Sequence, residues 1–327
     1  MDAGSQDGPN RWLRDALKRA RAIARRGAPP RPAPRARLGL ALAGGFARGI
    51  AHIGVLKVLA EHQVSVDYVA GTSVGALIAT LYAHGVPLDA MERLAVDTRF
   101  KDFGRWTLSW LGLASNSRLE TYLGRLCSAR RFEELRIPLA IAATDLGTGA
   151  PVYFTEGELG PALRASCAYP GMFLPVQYGG RTLVDGFVSA PVPVDGARQL
   201  GADVVIAVYL ESGPPDGQPK SVGEVIGRSF SIMQTYAHRA WAEQADVVIT
   251  PDVTRFGWDD FARTPELITA GEVAARAALP ALRAALAPTP AQPSRARNER
   301  IRPHLPAAGA LPALDAREPQ AQGTAGA

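Results

Sequence analysis

From residue 38 onward, short apolar runs alternate with longer segments whose apolar positions recur every three or four residues. The runs cover 38–43, 68–70, 137–143, 152–154, 182–184, 204–208 and 247–249, each bounded by turn-forming or polar residues, and they predict strands. The periodic segments predict helices over 50–59, 76–83, 88–97, 118–128, 158–167, 195–200, 222–243 and 265–286. The segment 50–59 is apolar almost all round, as a buried helix is. Alternation of this kind builds a parallel sheet covered by helices, so the predicted fold class is α/β with a mostly parallel central sheet and helices on both faces. No repeat of solenoid length is present.

The pattern fails at both ends. Residues 1–37 and 287–327 are rich in Ala, Pro, Gln and Arg without a sustained apolar period, and such segments cannot offset the entropy lost on ordering. The predicted organisation is a basic mobile segment over 1–37, one domain over 38–286 and a disordered tail over 287–327. Charge sharpens this division. The formal charge is +5, but residues 1–37 hold ten Lys or Arg against three Asp, +7 in all, which leaves −2 for the rest. A slightly acidic body gives no nucleic-acid-binding face. Within the basic segment, residues 11–26 place Trp12, Leu13, Ala16, Leu17, Ala20, Ile23 and Ala24 at helical spacing, mostly opposite Arg11, Arg14, Lys18, Arg21 and Arg25. Two readings stand side by side, a helix lying on an anionic membrane surface and a solvated basic tail. No run is long and apolar enough to span a bilayer, and the basic start lacks the core of a secretory signal. The expected location is cytoplasmic, with docking at the inner membrane face if residues 11–26 bind lipid. Cys127 and Cys167 fall in helix-like stretches and read as reduced structural thiols.

The candidate chemistry sits in the turns. Gly71-Thr-Ser-Val-Gly75 follows a predicted strand and precedes a predicted helix, the context in which a serine is lifted clear of a sheet on a strained turn. Gly71 and Gly75 keep the flanks free of side chains, and a helix N-terminus beside Ser73 favours developing negative charge. The plainer reading is a tight connection capped by Thr72 or Ser73. A serine needs a base. His52, His62, His84, His238 and His304 lie within or beside helical stretches or in the tail, and all read as ordinary helix or surface histidines. Asp185 follows the apolar run ending at Val184 and precedes Gly186, so its carboxylate is expected to project from a strand end, on the ligand side of an open α/β sheet. Val184, Phe187 and Val188 would desolvate it and raise its pKa. Gly44-Gly45, at the end of the first strand, would leave amides free for an oxyanion, with Arg48-Gly49 opening the next helix. Phe46 breaks the dinucleotide pattern, and no Lys-Ser or Lys-Thr pair completes a P-loop.

In combination, Leu40-Ala-Leu-Ala-Gly-Gly-Phe-Ala-Arg-Gly49, Gly71-Thr-Ser-Val-Gly75 and Leu183-Val-Asp-Gly186 strongly resemble the patatin-like phospholipase family. The stretch Leu163-Arg-Ala-Ser-Cys-Ala-Tyr-Pro-Gly-Met-Phe173 is similar to the segment before that family's catalytic aspartate, and the likeness spans roughly residues 38–285. It implies a Ser73–Asp185 dyad without histidine, an oxyanion hole around Gly44, Gly45 and Val74, and support from Arg48, Gly49, Gly71, Gly75 and Gly186. It also implies hydrolysis of lipid acyl esters with neither metal nor cofactor. Two departures stand out. Phe46 occupies a position where the family usually has a third glycine, and Phe187 one where a small residue usually follows Asp-Gly. Both rings are expected to line the site and contact the acyl chain. The same dyad would serve an acyltransferase, and a silent lipid-binding scaffold would keep the fold without the chemistry. The aromatic-rich stretch 100–113 is expected to pack on the core, with a lid or acyl-chain entrance as its other reading.

Overall fold

A computed structural model describes residues 35–97, 105–106, 112–211, 213 and 217–287. These all lie in the first of the chain's two units, which ends at Pro288. The segment 11–26, the tail from 288 and most of the stretch 100–113 lie outside the described residues.

Strand β1 (Leu38–Leu42) is buried at every position, which is why its sequence is continuously apolar rather than alternating: helices cover both faces of the sheet there. It pairs in parallel with β2 (Tyr68–Thr72) and β9 (Val204–Val208). β10 (Val247–Ile249) continues the parallel part beyond β9, and β5 (Leu139–Asp145) continues it beyond β2. Past β5 the direction reverses. β6 (Pro151–Phe154), β7 (Val176–Tyr178) and β8 (Arg181–Asp185) are all antiparallel to their neighbours, completing an eight-stranded sheet. β7 escapes the apolar pattern because it has three residues and its middle one, Gln177, is exposed. A short antiparallel pair, β3 (Arg105–Trp106) and β4 (Ala114–Ser115), stands apart from this sheet.

The reversal brings two strand ends together. Along one edge of β5, residues 141–144 pair with β6. On the opposite edge, residues 139–142 pair with β2 and residues 143–145 with β8. β2 and β8 therefore share one edge of β5 and run toward each other, meeting end to end: Thr72 lies opposite Ala142, and Asp185 lies opposite the next residue, Ala143. Asp185 closes its strand at the point on β5 where the parallel pairing with β2 ends. β8 is antiparallel, and it reaches the same sheet edge by descending onto it.

The helices hold this edge in place. α1 (Ala51–Glu61) follows a 3-10 turn over Phe46–Ile50 and packs closely on α8 (Thr264–Leu286). Gly54 and Gly271 mark the crossing, where any side chain would strike the partner's backbone. Lys57 of α1 bridges Glu92 of α3 (Leu88–Asp97) and Glu272 of α8, both at 3.0 Å. α2 (Val74–His84) follows β2 directly, and α5 (Leu159–Ser166) and α6 (Val194–Gln199) pack on the sheet. α4 (Arg118–Leu126) packs on α5, and α7 (Val222–Ala242) precedes β10.

Candidate active site

Ser73 stands between β2 and α2 with φ 56° and ψ −126°, a conformation that costs a non-glycine residue about 1–3 kcal/mol. Tight packing on either side imposes it. A side chain at Gly75 would strike the carbonyls of Leu42 and Ala43, and one at Gly71 would strike the backbone of Ala76. Gly49 and Gly186 are pressed in the same way against Val74 and Ala142. The result aims the serine hydroxyl across the end of β8. Ser73 Oγ donates to Asp185 Oδ2 at 2.7 Å, while Asp185 Oδ1 accepts the Phe187 amide at 2.9 Å.

Asp185 is fully buried, and its carboxyl is pushed up to about 7. Desolvation is the main cause; the bonds from the Phe187 amide and the Ser73 hydroxyl pull the other way. The backbone around it is held from several directions. Its amide donates to Ala168 O at 3.0 Å, and Thr144 Oγ1 donates to its carbonyl at 3.0 Å. Thr72 Oγ1 donates to Ala190 O at 2.7 Å, tying the serine's strand to the loop beyond the aspartate. Among the described residues no histidine bonds to either side chain. His52 Nε2 bonds the carbonyl of Ala43 at 2.8 Å, and burial pulls its pKa down to about 4, so the ring is a neutral brace for the end of β1. His238 packs against Tyr209 and Trp241.

The three amides expected around an oxyanion differ. Gly44 N–H donates to Pro191 O at 3.3 Å, so it is already engaged, and the value of this glycine is closeness: a Cβ there would lie 3.2 Å from Ser73 Cβ. The amides of Gly45 and Val74 make no hydrogen bond among the described residues. The first precedes the 3-10 turn and the second opens α2, where the first amides of a helix lack intrahelical acceptors.

Residues 40–198 match the sequence profile of the family described as Patatin-like phospholipase. Over that segment, just under half of the chain, the sequence is similar to the patatin-like phospholipase family. An uncharacterized NTE family protein of Mycobacterium tuberculosis is 35% identical over 199 residues, 59% of this chain and 55% of that protein. Lysophospholipase nte1 of Aspergillus fumigatus is 28% identical over 205 residues, 61% of this chain and 13% of that protein. The chain thus spans about half the length of the mycobacterial relative. Among solved structures, VipD from Legionella pneumophila is a remote likeness, with a TM-score of 0.42 and 12% identity over 76% of this chain and 67% of that one.

Two spaces meet at Ser73 of the patatin-like domain. One is an apolar cavity of about 110 Å³ among α1, α2, α3 and α4, lined by Ile53, Leu77, Leu81, Met91 and Leu119. The other is a wider groove of about 650 Å³ bordered by Gly44, Gly45, Arg48, Asp185, Lys220 and the first half of α7. Phe46 lines both. Its backbone sits at φ 50°, the left-handed region a glycine would occupy freely, and its ring meets Tyr169 and Trp258 edge-on at 5.1 and 5.4 Å. Phe187 borders the groove alone, 6.1 Å from Tyr169. Arg48 also borders the groove, and burial lowers its pKa.

Several neighbours of the patatin-like site carry no warning in the sequence. Ser166 Oγ accepts the Ser73 amide at 2.8 Å, and Gln234 Nε2 donates to Phe187 O at 2.6 Å. Cys167, read as a structural thiol, lines the apolar cavity beside Ser73, and burial raises its pKa well above normal. Ser166 and Cys167 lie in the 163–173 stretch that resembles the family. Gln234 comes from the middle of a long helix with no motif around it.

Proposed function

We propose that this chain is a serine acyl hydrolase that cleaves carboxylic esters of lipids through a Ser73–Asp185 dyad and an acyl-enzyme. The observation that carries the reading is the 2.7 Å bond from Ser73 Oγ to a buried carboxylate, at the point where an apolar cavity opens into a polar groove. The apolar cavity suits an acyl chain, and the groove suits the alcohol part of the ester.

Asp185 takes the hydroxyl proton as Ser73 Oγ bonds to the ester carbonyl carbon. The carbonyl π electrons move to oxygen, and the amides of Gly45 and Val74 hold the resulting oxyanion. Collapse re-forms the carbonyl and breaks the bond to the alcohol oxygen, which leaves with the proton held by Asp185. Water then attacks the Ser73 ester while Asp185 again accepts a proton, and the fatty acid departs as Ser73 recovers its hydrogen. A base poised near pH 7 is matched to this task. The proposed place of action is the cytoplasmic side of a membrane; among the described residues no helix is long and apolar enough to cross one.

A fluorophosphonate probe tests the nucleophile. Labelling of the wild type and none of Ser73→Ala is the expected result, and failure of the wild type to label points to the silent scaffold. Product analysis with an added alcohol separates hydrolysis, which yields free acid, from acyl transfer, which yields a new ester.

A further inference from the structure

Tyr169 borders the groove, and the proposed reaction gives it no part. It follows Ser166 in the stretch that joins α5 to β7, and that stretch touches both members of the dyad. Ser166 Oγ accepts the Ser73 amide at 2.8 Å, and Ala168 O accepts the Asp185 amide at 3.0 Å. The carbonyl of Tyr169 itself accepts the amides of Met172 and Phe173 at 3.1 and 2.9 Å, which fixes its backbone. The ring is held as firmly. Phe46, Phe230 of α7 and Phe187 lie 5.1, 5.6 and 6.1 Å from it, within the range of favourable aromatic pairs. Phe46 and Phe187 are the two positions at which this chain departs from the patatin-like pattern, and both set their rings against Tyr169.

What this aromatic socket offers the groove is a phenol. The residue is half-buried, and its hydroxyl makes no hydrogen bond among the described residues. The space beside the hydroxyl is open. A Cβ at Gly227 of α7, another residue bordering the groove, would lie 4.0 Å from the hydroxyl oxygen and would meet no other atom within that distance. Desolvation, the largest cause, and the charge of Asp185 push the phenol up to about 12 against the pull of Arg48, so it keeps its proton across the working pH range. The groove therefore presents a rigid hydrogen-bond donor beside a guanidinium, and the partner that suits both is an oxygen acceptor.

We propose that Tyr169 is a specificity-determining residue for the alcohol half of the ester, its hydroxyl donating a hydrogen bond to an oxygen that this half carries beyond the scissile bond. A phosphate oxygen is favoured over a hydroxyl, because Arg48 borders the same groove and a hydrogen bond to a charged acceptor is about twice as strong as one to a neutral acceptor. An alcohol half without such an oxygen gains nothing from the phenol and has to displace the water that solvates it. The inference rests on the reading of the site as one for lipid esters.

The test measures octanoate released by the full chain from three esters that share one acyl chain: octanoyl glycerol phosphate, monooctanoylglycerol and butyl octanoate. It compares the wild type with Tyr169→Phe, which keeps the ring and removes only the hydroxyl. The ratio of kcat/KM for the phosphate ester to that for butyl octanoate is expected to fall about 10-fold in the variant, and the ratio for the glycerol ester a few-fold. A purely structural role would lower all three rates together and leave both ratios where they were. Gly227→Ala, a substitution that favours the helix, puts a methyl group into the space beside the hydroxyl and should lower the phosphate ratio as well. Unmoved ratios in Tyr169→Phe overturn the assignment. A larger fall for the glycerol ester than for the phosphate ester would overturn the preference for phosphate. If the wild type releases no octanoate from any of the three, the hydrolase reading falls and takes the assignment with it, whereas turnover with unmoved ratios removes the assignment alone.

Discussion

On one side of Ser73 a small cavity is walled by Ile53, Leu77, Leu81 and Met91; on the other, a groove about six times larger is bordered by Arg48, Lys220 and Glu224 as well as apolar residues. The first is lined by helices packed on one another, with α1 locked to α8 by glycines at their crossing. The second is bordered by the first half of α7, which contributes Glu224 and Arg228 as well as glycines to its wall. In the proposed reading a serine placed between them grips a substrate of two halves, with the acyl chain in the cavity and the alcohol part in the groove. An apolar cavity gains from each methylene it dries, whereas a wide polar groove accepts many head groups.

The largest effect should come from removing the base at the junction, because neither space can act without it. Asp185→Asn is expected to lower kcat/KM by about 10⁴-fold, as loss of a buried dyad or triad carboxylate does, while leaving both spaces in place. In the wild type, kcat/KM should rise with pH and level off above an inflection near 7, since Asp185 must be ionised to accept the proton. Stability should move in the opposite direction. A carboxyl whose folded-state pKa lies above its unfolded value stabilises the fold at low pH and loses that contribution as pH rises toward about 7. A pH–rate profile and thermal melts across the same range read both, and an inflection near the ordinary carboxylate value would break the account of Asp185.

A smaller effect should separate the two spaces. Leu81 lies two helical turns beyond Val74 on α2, about 10 Å farther from Ser73 along the axis. Leu81→Phe is expected to reduce kcat/KM about 10-fold for long acyl chains and to leave short ones unaffected. Equal loss for all chain lengths would mean that the cavity does not hold the chain. The smallest effect concerns the residue both spaces share. Phe46→Gly relieves a left-handed backbone but removes a wall, and it should weaken chain-length discrimination a few-fold. A large gain in turnover would show instead that the ring obstructs the site.

The fold was readable because its signals are local. Continuous apolar runs such as 38–42 and 204–208 record strands buried on both faces, and the periods over 222–243 and 265–286 record helices whose ends agree with the structure within a residue. The elbow was readable partly for the same reason, since Gly71 is demanded by the backbone of the adjoining turn, although Gly75 answers to the distant carbonyls of Leu42 and Ala43. β7 was not, being three residues long with an exposed centre.

Chain order alone singled out Ser73 and Asp185 as the candidate pair, because strained turns and buried strand ends leave marks in neighbouring residues. It could not say how residues more than a hundred positions apart come within 2.7 Å. That depends on β8 running antiparallel and meeting β2 head-on along β5, and strand direction is decided by how the whole sheet closes its hydrogen bonds. The engagement of the Gly44 amide by Pro191 and the hold of Gln234 on Phe187 belong to the same class. Each is a contact between segments distant in sequence, and periodicity within a segment carries no information about what packs against it.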